Sequence, residues 1–335
     1  MSNVIKLPNI THDSLAVHEN KSEQRTQSKF NAKNYLDTRP ENGKTEKKVT
    51  IRLLPMDLET GNPFQLIHFH TVQVPQEVAG DGKKPYKSYL CLDERKNPGI
   101  DHQRYGVKCP FCEINKKAYE KSLESTDPVE KKAWQKISLN NHSIEAYVVR
   151  CIERGHEEDG VKFWKFNTRL DKKDPYHVLL DLYRQRKKEG EESGEDVNIF
   201  DLSKGYDLTV TFTAGTPIPP PTIMDAKNSS PLSTDEEQMR AWVFDEKKWQ
   251  DVFTPKDYNY LSLVSEMRVP WFDKTKNTWV DKEEYMKEHK DEFSKEHDGG
   301  SISHSESLSV EEPSKEELAK SIVVDDNNAE DDLPF

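Results

Sequence analysis

The sequence predicts an α+β fold built on a small β-barrel. Three observations point there: short runs alternate apolar and polar residues, helical stretches interrupt them, and Pro and Gly punctuate the joins. The first run, Val49-Thr50-Ile51-Arg52-Leu53-Leu54-Pro55, alternates and stops at a proline, so it reads as a strand. A second strand covers 64–74. A loop rich in Gly, Lys and Tyr follows, then Cys91, then another long loop to Cys109. From Glu113 the pattern turns helical, and Thr126-Asp127-Pro128 opens a further helix with Asp127 as its N-cap. Strands at 143–151 and 161–166 are joined through Gly155 and Gly160. Asp174-Pro175 starts a helix that runs to about 188, ahead of an acidic loop at 189–196. A strand at 206–213, a proline breaker at 217–221, a helix at 234–250 and a last strand at 258–265 complete the series.

Composition sets the limits of this fold. Of 335 residues, 33% are hydrophobic and 33% charged, and mean hydropathy is −0.94, so part of the chain is expected to stay solvated. No run of 18 apolar residues is available for a membrane span, and the first 20 residues lack the basic-then-apolar pattern of a secretory signal. Four cysteines do not make a disulfide scaffold. The net charge of −12 is localised: residues 281–335 hold 18 Asp+Glu and 6 Lys+Arg, while the other 280 residues hold 43 of each sign. These shifts divide the chain into a flexible, mildly basic arm at 1–45, a folded core at 46–280 and an acidic tail at 281–335. The tail is expected to be disordered apart from a helical turn or two at 281–296.

The sharpest local signal is Cys109-Pro110-Phe111-Cys112. Two thiolates two residues apart form the tight corner that zinc needs to meet both at about 2.3 Å. Cys91 lies upstream, and His70 before it, which gives a His-Cys-Cys-Cys set for one Zn2+. His68 shares a strand face with His70, and His102 sits inside the loop, so each is an alternative fourth ligand. Four protein ligands leave no site for a reacting water, so the zinc is expected to be structural, pinning a subdomain at about 68–140. Cys151, in an apolar strand, reads as a small core residue.

Two segments interleave cations with rings. Residues 83–117 carry a net charge of +5 with Tyr86, Tyr89, Tyr105 and Phe111, and residues 161–188 carry +6 with Phe163, Trp164 and Phe166. Cations that track phosphates, here Lys83, Lys84, Lys87, Arg104, Lys108, Lys165 and Arg169, together with rings on which bases stack, suit single-stranded nucleic acid. An RNA-binding zinc-knuckle regulator is the alternative. A zinc hydrolase or deaminase fits worse. It needs an open metal position and a His-x-Glu pattern, which His68 and His70 do not supply, and no Walker-type loop or nucleophile elbow is present. The chain is therefore expected not to be an enzyme.

The run 49–55, Pro63-Phe64 ahead of His70, then Cys91, Cys109 and Cys112 followed by a helix, resemble the zinc-containing, helix-destabilising single-stranded DNA-binding proteins of T-even phages. The pieces 146–149, 160–166 and 201–213 follow in a similar order, and the likeness spans about 45–265. The resemblance implies an OB-fold core with an inserted zinc subdomain. It also implies sequence-independent binding of single strands in phage replication, recombination and repair, cooperative self-association on DNA, and a place in the cytoplasm of an infected bacterium. It favours His70 as the ligand and adds Arg52 to the binding cleft. The loops between the ligands are longer than in the family, and Ile144-Glu145 stands where the family has an aromatic pair. Asp331-Asp332-Leu333-Pro334-Phe335 is similar to the tip of bacterial single-stranded DNA-binding proteins. That tip implies docking of partners such as polymerase, helicase-primase or nuclease through a terminal Phe and its aspartates.

Overall fold

The computed structural model describes residues 34–215 and 218–289. The basic arm up to residue 33 and the tail from residue 290, including Asp331, Asp332, Leu333, Pro334 and Phe335, lie outside the described residues. The fold is α+β. Its strands are β1 (Glu46–Leu54), β2 (Gln65–Gln73), β3 (Tyr86–Leu90), β4 (Ile144–Glu153), β5 (Lys162–Asn167), β6 (Leu208–Thr213) and β7 (Thr222–Asp225), followed by a separate hairpin of β8 (Pro270–Asp273) and β9 (Thr278–Asp281). The helices are α1 (Gln76–Ala79), α2 (His102–Tyr105), α3 (Pro110–Glu124), α4 (Pro128–Asn140), α5 (Pro175–Ser193), α6 (Glu236–Val243), α7 (Trp249–Val252), α8 (Tyr258–Ser265) and α9 (Lys282–Glu288). Among the described residues no helix is long and apolar enough to cross a membrane.

The seven-stranded antiparallel sheet runs β3-β2-β4-β1-β6-β7, with β5 on the far edge of β4. Ten-residue β4 is the organising strand. Its first half pairs with β2 (Gln65 opposite Val148) and its second half with β1 (Leu54 opposite Arg150), while β5 lines its other edge. The barrel expected from the sequence does not close: β3 and β7 end the strand order without pairing to each other. Pro219, Pro220 and Pro221, which lack N–H donors, lead into β7 and suit it to an edge.

Register divides the sheet into two faces. Val49, Ile51, Leu53, Val149, Cys151, Trp164, Phe166, Val210 and Phe212 share one face, where α5 lays Leu179 over them. Ile67, Phe69, Ala146, Val148 and Phe163 share the other, which α7 covers with Trp249 and with Phe253 just beyond its end. Helix α5 begins where Asp174 accepts from the His177 N–H and Pro175 takes the first position.

Three arginines bind the covering loops to the sheet. Arg52, expected in a binding cleft, is 0% exposed. Its guanidinium donates to Asp207 at 3.2 Å and to the carbonyls of Asp201 (3.0 Å) and Ser230 (2.5 Å). Arg154 joins the same Asp207 at 2.9 Å, and Arg150 donates to the carbonyls of Pro55, Trp242, Val243 and Asp245. Arg52 is therefore a structural cation. Arg52→Met removes one partner of a buried pair and orphans two carbonyls, so chemical denaturation is expected to show a loss of about 3 kcal/mol.

Lys165 is also inward. It lies opposite Val148, on the face covered by α7, with Nζ 4.1 Å from the centre of the Phe69 ring. Burial pushes its ammonium down to about 8. The folded state releases this proton above pH 8, whereas the unfolded chain holds it to about 10.4. Stability is therefore expected to climb with pH across that window. Lys165→Met should raise stability at pH 7, by on the order of 2 kcal/mol, and flatten the climb; thermal melts at pH 7 and pH 9.5 measure both.

One segment differs from expectation in type. Residues 258–265 form helix α8, because Leu261 and Val264, three apart, are the buried pair; the run satisfies helical spacing as well as alternation. The helical turn or two expected at 281–296 is α9, capped by Asp281, which ends β9 and accepts from the Glu283 and Glu284 N–H groups.

Candidate metal centre and binding cleft

His70, Cys91, Cys109 and Cys112 converge so that their ligating atoms all lie within 4.8 Å of one another. Strand β2 supplies His70, the residue after β3 is Cys91, and α3 supplies the pair. Cys109 is the N-cap of α3, Pro110 its first residue, and Cys112 lies in its first turn. The first turn of a helix thus performs the chelate fold that the Cys-x-x-Cys spacing predicts. Cys91 Sγ lies 3.5 Å from Cys112 Sγ, and His70 Nε2 lies 3.4 and 3.5 Å from Cys109 Sγ and Cys112 Sγ. A tetrahedral ion with bonds of about 2.0–2.3 Å separates its donors by about 3.5–3.8 Å. The group could hold one metal ion.

The surroundings fit that purpose. His70 directs Nδ1 at the carbonyls of Asn141 (3.0 Å) and His142 (3.1 Å), which places the N–H there and leaves the Nε2 lone pair facing the sulfurs. The neighbouring thiols Cys112 and Cys91 hydrogen-bond to Cys109 and, with the Cys112 and Leu92 N–H groups, lower it to about 3, while Cys109 and Cys112 push Cys91 up. Three thiolates with a dication leave one negative charge, and Lys96 Nζ lies 3.5 Å from Cys112 Sγ, held by Ser143 Oγ at 2.5 Å. The alternative ligands are excluded by their own bonds. His68 directs Nδ1 at the Lys96 carbonyl and Nε2 at Glu145, and His102 has the carbonyls of Gly106 and Asn97 beside its two nitrogens; neither belongs to the cluster.

The expected stacking rings divide. Tyr89 (7% exposed), Phe111 (1%), Phe163 (1%), Trp164 (3%) and Phe166 (7%) are core residues, with no face left for a base. Strand alternation and ring content looked the same for a core face as for an open one. Tyr86 and Tyr105 are half-buried. Lys83, Lys84, Arg104, Lys108 and Arg169 are exposed, and Arg169 lies in the loop before α5, where its N–H donates to the cap residue Asp174. Lys87 lies close enough to Lys83 and Lys256 that these two, after burial, lower its ammonium. Such a knot of like charge suits an anion. Lys256, from outside the predicted segments, is part of it.

A set of rings that the sequence reading passed over forms an open cleft. Phe64, Leu66, Tyr147 and Tyr176, with Met56, Asp57, Asn62 and Gln65, line a hollow of about 400 Å³. Tyr147 and Tyr176 stack with centroids 3.9 Å apart at 11°, and Phe64 packs edge-on to both at 6.0 and 5.1 Å. Phe200 extends the group 5.8 Å from Phe64. Register places Leu66 opposite Tyr147, and Lys87 opposite Val72, so cleft, His68, His70 and Lys87 share one face of β2. Six residues of strand, about 20 Å, separate the cleft from the lysine knot. The only sequence signal was Pro63-Phe64, which served as a spacing marker rather than as a ring. Tyr147 alternates with core residues, and Tyr176 follows a helix-opening proline. No known family profile matches the chain, and no curated protein is significantly similar to it in sequence.

Proposed function

We propose that the protein binds single-stranded DNA without reading its sequence, along one face of the sheet between α5 and the metal centre, and that it is not an enzyme. The observation that carries this reading is a half-buried ring cleft at Phe64, Tyr147 and Tyr176 on the face of β2 that Lys87 shares, with Lys83 and Lys256 close to Lys87. Rings offer every base a π-face, and lysines meet phosphates one by one. The metal is structural Zn2+: three thiolates and an imidazole suit it, all four positions are filled by protein, and the site is buried. The strand pairing of β1, β2 and β4 is compatible with an OB-type core left open at its ends. The acidic segment after residue 289, with 14 Asp+Glu against 4 Lys+Arg, competes with DNA for the same cations and recruits replication and recombination proteins. The phage setting and self-association along DNA belong to the same proposal.

The test is a titration of the full-length, zinc-loaded chain with labelled oligo-dT across a salt series. Binding is expected to weaken linearly in log–log form with a slope reporting several phosphates. Matched oligo-U distinguishes the RNA reading. Absence of binding to either oligomer at low salt overturns the proposal.

A further inference from the structure

Helix α8, the β8–β9 hairpin and α9 form a unit that has almost no core of its own. Its buried side chains are Leu261, Val264, Asp273 and Asp281, and both apolar ones insert elsewhere. Leu261 and Val264 belong to the hydrophobic cluster of Cys91, Cys109, Phe111 and Tyr89, which encloses the metal centre. A hairpin of two four-residue strands and two helices of seven and eight residues are too short to hold themselves together in water.

A continuous chain of ring contacts joins this unit to the metal ligands. His70 lies 5.3 Å from Phe111, Phe111 stacks 6.3 Å from Tyr89, Tyr89 meets Tyr260 at 5.9 Å, Tyr260 meets Trp279 at 4.9 Å, and Trp279 meets Phe272 at 5.2 Å. Phe111 is fixed by its place between Cys109 and Cys112 in the first turn of α3. Polar ties run beside the rings. Tyr258 donates to Glu113, the residue after Cys112, at 2.7 Å, Trp279 Nε1 donates to Asp257 at 2.8 Å, and Lys282 pairs with Glu77 of α1.

We propose that residues 257–289 are a clasp that folds only against the metal-loaded centre, so that metal occupancy fixes the place from which the chain after residue 289 departs. Without the ion, Cys109 and Cys112 no longer hold the first turn of α3 against His70 and Cys91. Phe111 then loses its seat, and the pocket for Leu261 and Val264 opens. The large sheet keeps its own core around Ile51, Val149, Trp164 and Val210, which shares no residue with the cluster around the metal. The clasp therefore releases as a local unit, without global unfolding. This inference does not depend on what the protein binds.

The experiment is hydrogen exchange read by mass spectrometry on the full chain, as the Zn2+ form and after EDTA. Metal removal is expected to speed exchange at least tenfold in 258–265 and 270–281, while 49–53 and 208–212 stay protected. Leu261→Ala in the Zn2+ form keeps the test independent of metal-free solubility. It is expected to retain one zinc per chain, measured by mass spectrometry under native conditions, yet to expose 270–281 by a similar factor. Unchanged protection of 270–281 in both experiments overturns the clasp, because the hairpin then folds alone. Loss of protection in 49–53 together with 270–281 overturns it equally, because the unit is then not separate.

Discussion

Full-length protein carrying Cys112→Ser is expected to purify without bound metal, whereas the parent chain carries one zinc. The serine hydroxyl neither ionises at neutral pH nor offers a soft donor, so the tetrahedral set falls to three and Lys96 loses its sulfur partner. Structural zinc in small sites contributes about 10–16 kcal/mol of apparent binding at neutral pH, far more than any single contact in this fold. Much of that is folding energy of the lobe around Val72, Leu92 and Phe111, so the first thermal transition of the variant should fall by more than 10 °C. His70→Gln gives the same result. His68→Gln and His102→Gln keep one zinc per chain, since their ring nitrogens are engaged by carbonyls and Glu145. Zinc content by atomic absorption, with melts on the same samples, decides the matter; a zinc-replete C112S protein would falsify the assignment of the ligand set.

Tyr147→Leu and Tyr176→Leu are expected each to weaken oligo-dT binding about tenfold, and the pair together by less than the product, because the two rings stack on each other, with the salt slope unchanged. Leucine keeps apolar contact with Phe64 but removes the π-face, and stacking is worth about 1–3 kcal/mol per base. Lys87→Ala and Lys256→Ala should behave in the complementary way, each reducing the salt slope by about one while leaving the low-salt complex intact. Anisotropy titrations at four salt concentrations separate the two classes. Ring variants that alter only the slope, or lysine variants that leave it unchanged, would remove the cleft from the binding path.

The metal ligands were legible in the sequence because coordination chemistry restricts both residue type and spacing; Cys-x-x-Cys encodes its own geometry. Asp127 and Asp174 were legible as caps because a carboxylate followed by proline has few other uses. The ring cleft was not legible, since period-two alternation tells which residues share a face and not which face is covered. Trp164 and Phe166 share their face with Tyr147, yet the first two are buried, while the third, stacked on Tyr176 of α5, still lines the hollow. Arg52, which the resemblance placed in the cleft, is instead enclosed by loops around Asp201 and Ser230, far along the chain. Residues 258–265 satisfied two periods at once, and only the position of the metal lobe decides between them.

Strand β1 must wait for its neighbours during synthesis. Ile51 pairs with Glu153 of β4 and with Leu208 of β6, about 100 and 155 residues later. At 5–20 residues per second, the ribosome takes roughly ten to thirty seconds to deliver the second of these. Until β4 arrives, Ile51 and Leu53 have no sheet to join, and the edge that β6 takes, along Glu46 to Ile51, stays unpaired throughout that interval. All four residues of the candidate metal group, by contrast, emerge by residue 112, so the lobe around them can begin to assemble while β1 is still waiting. Nascent chains starved of zinc should therefore aggregate during translation or bind holdase chaperones, even where the finished protein tolerates chelation.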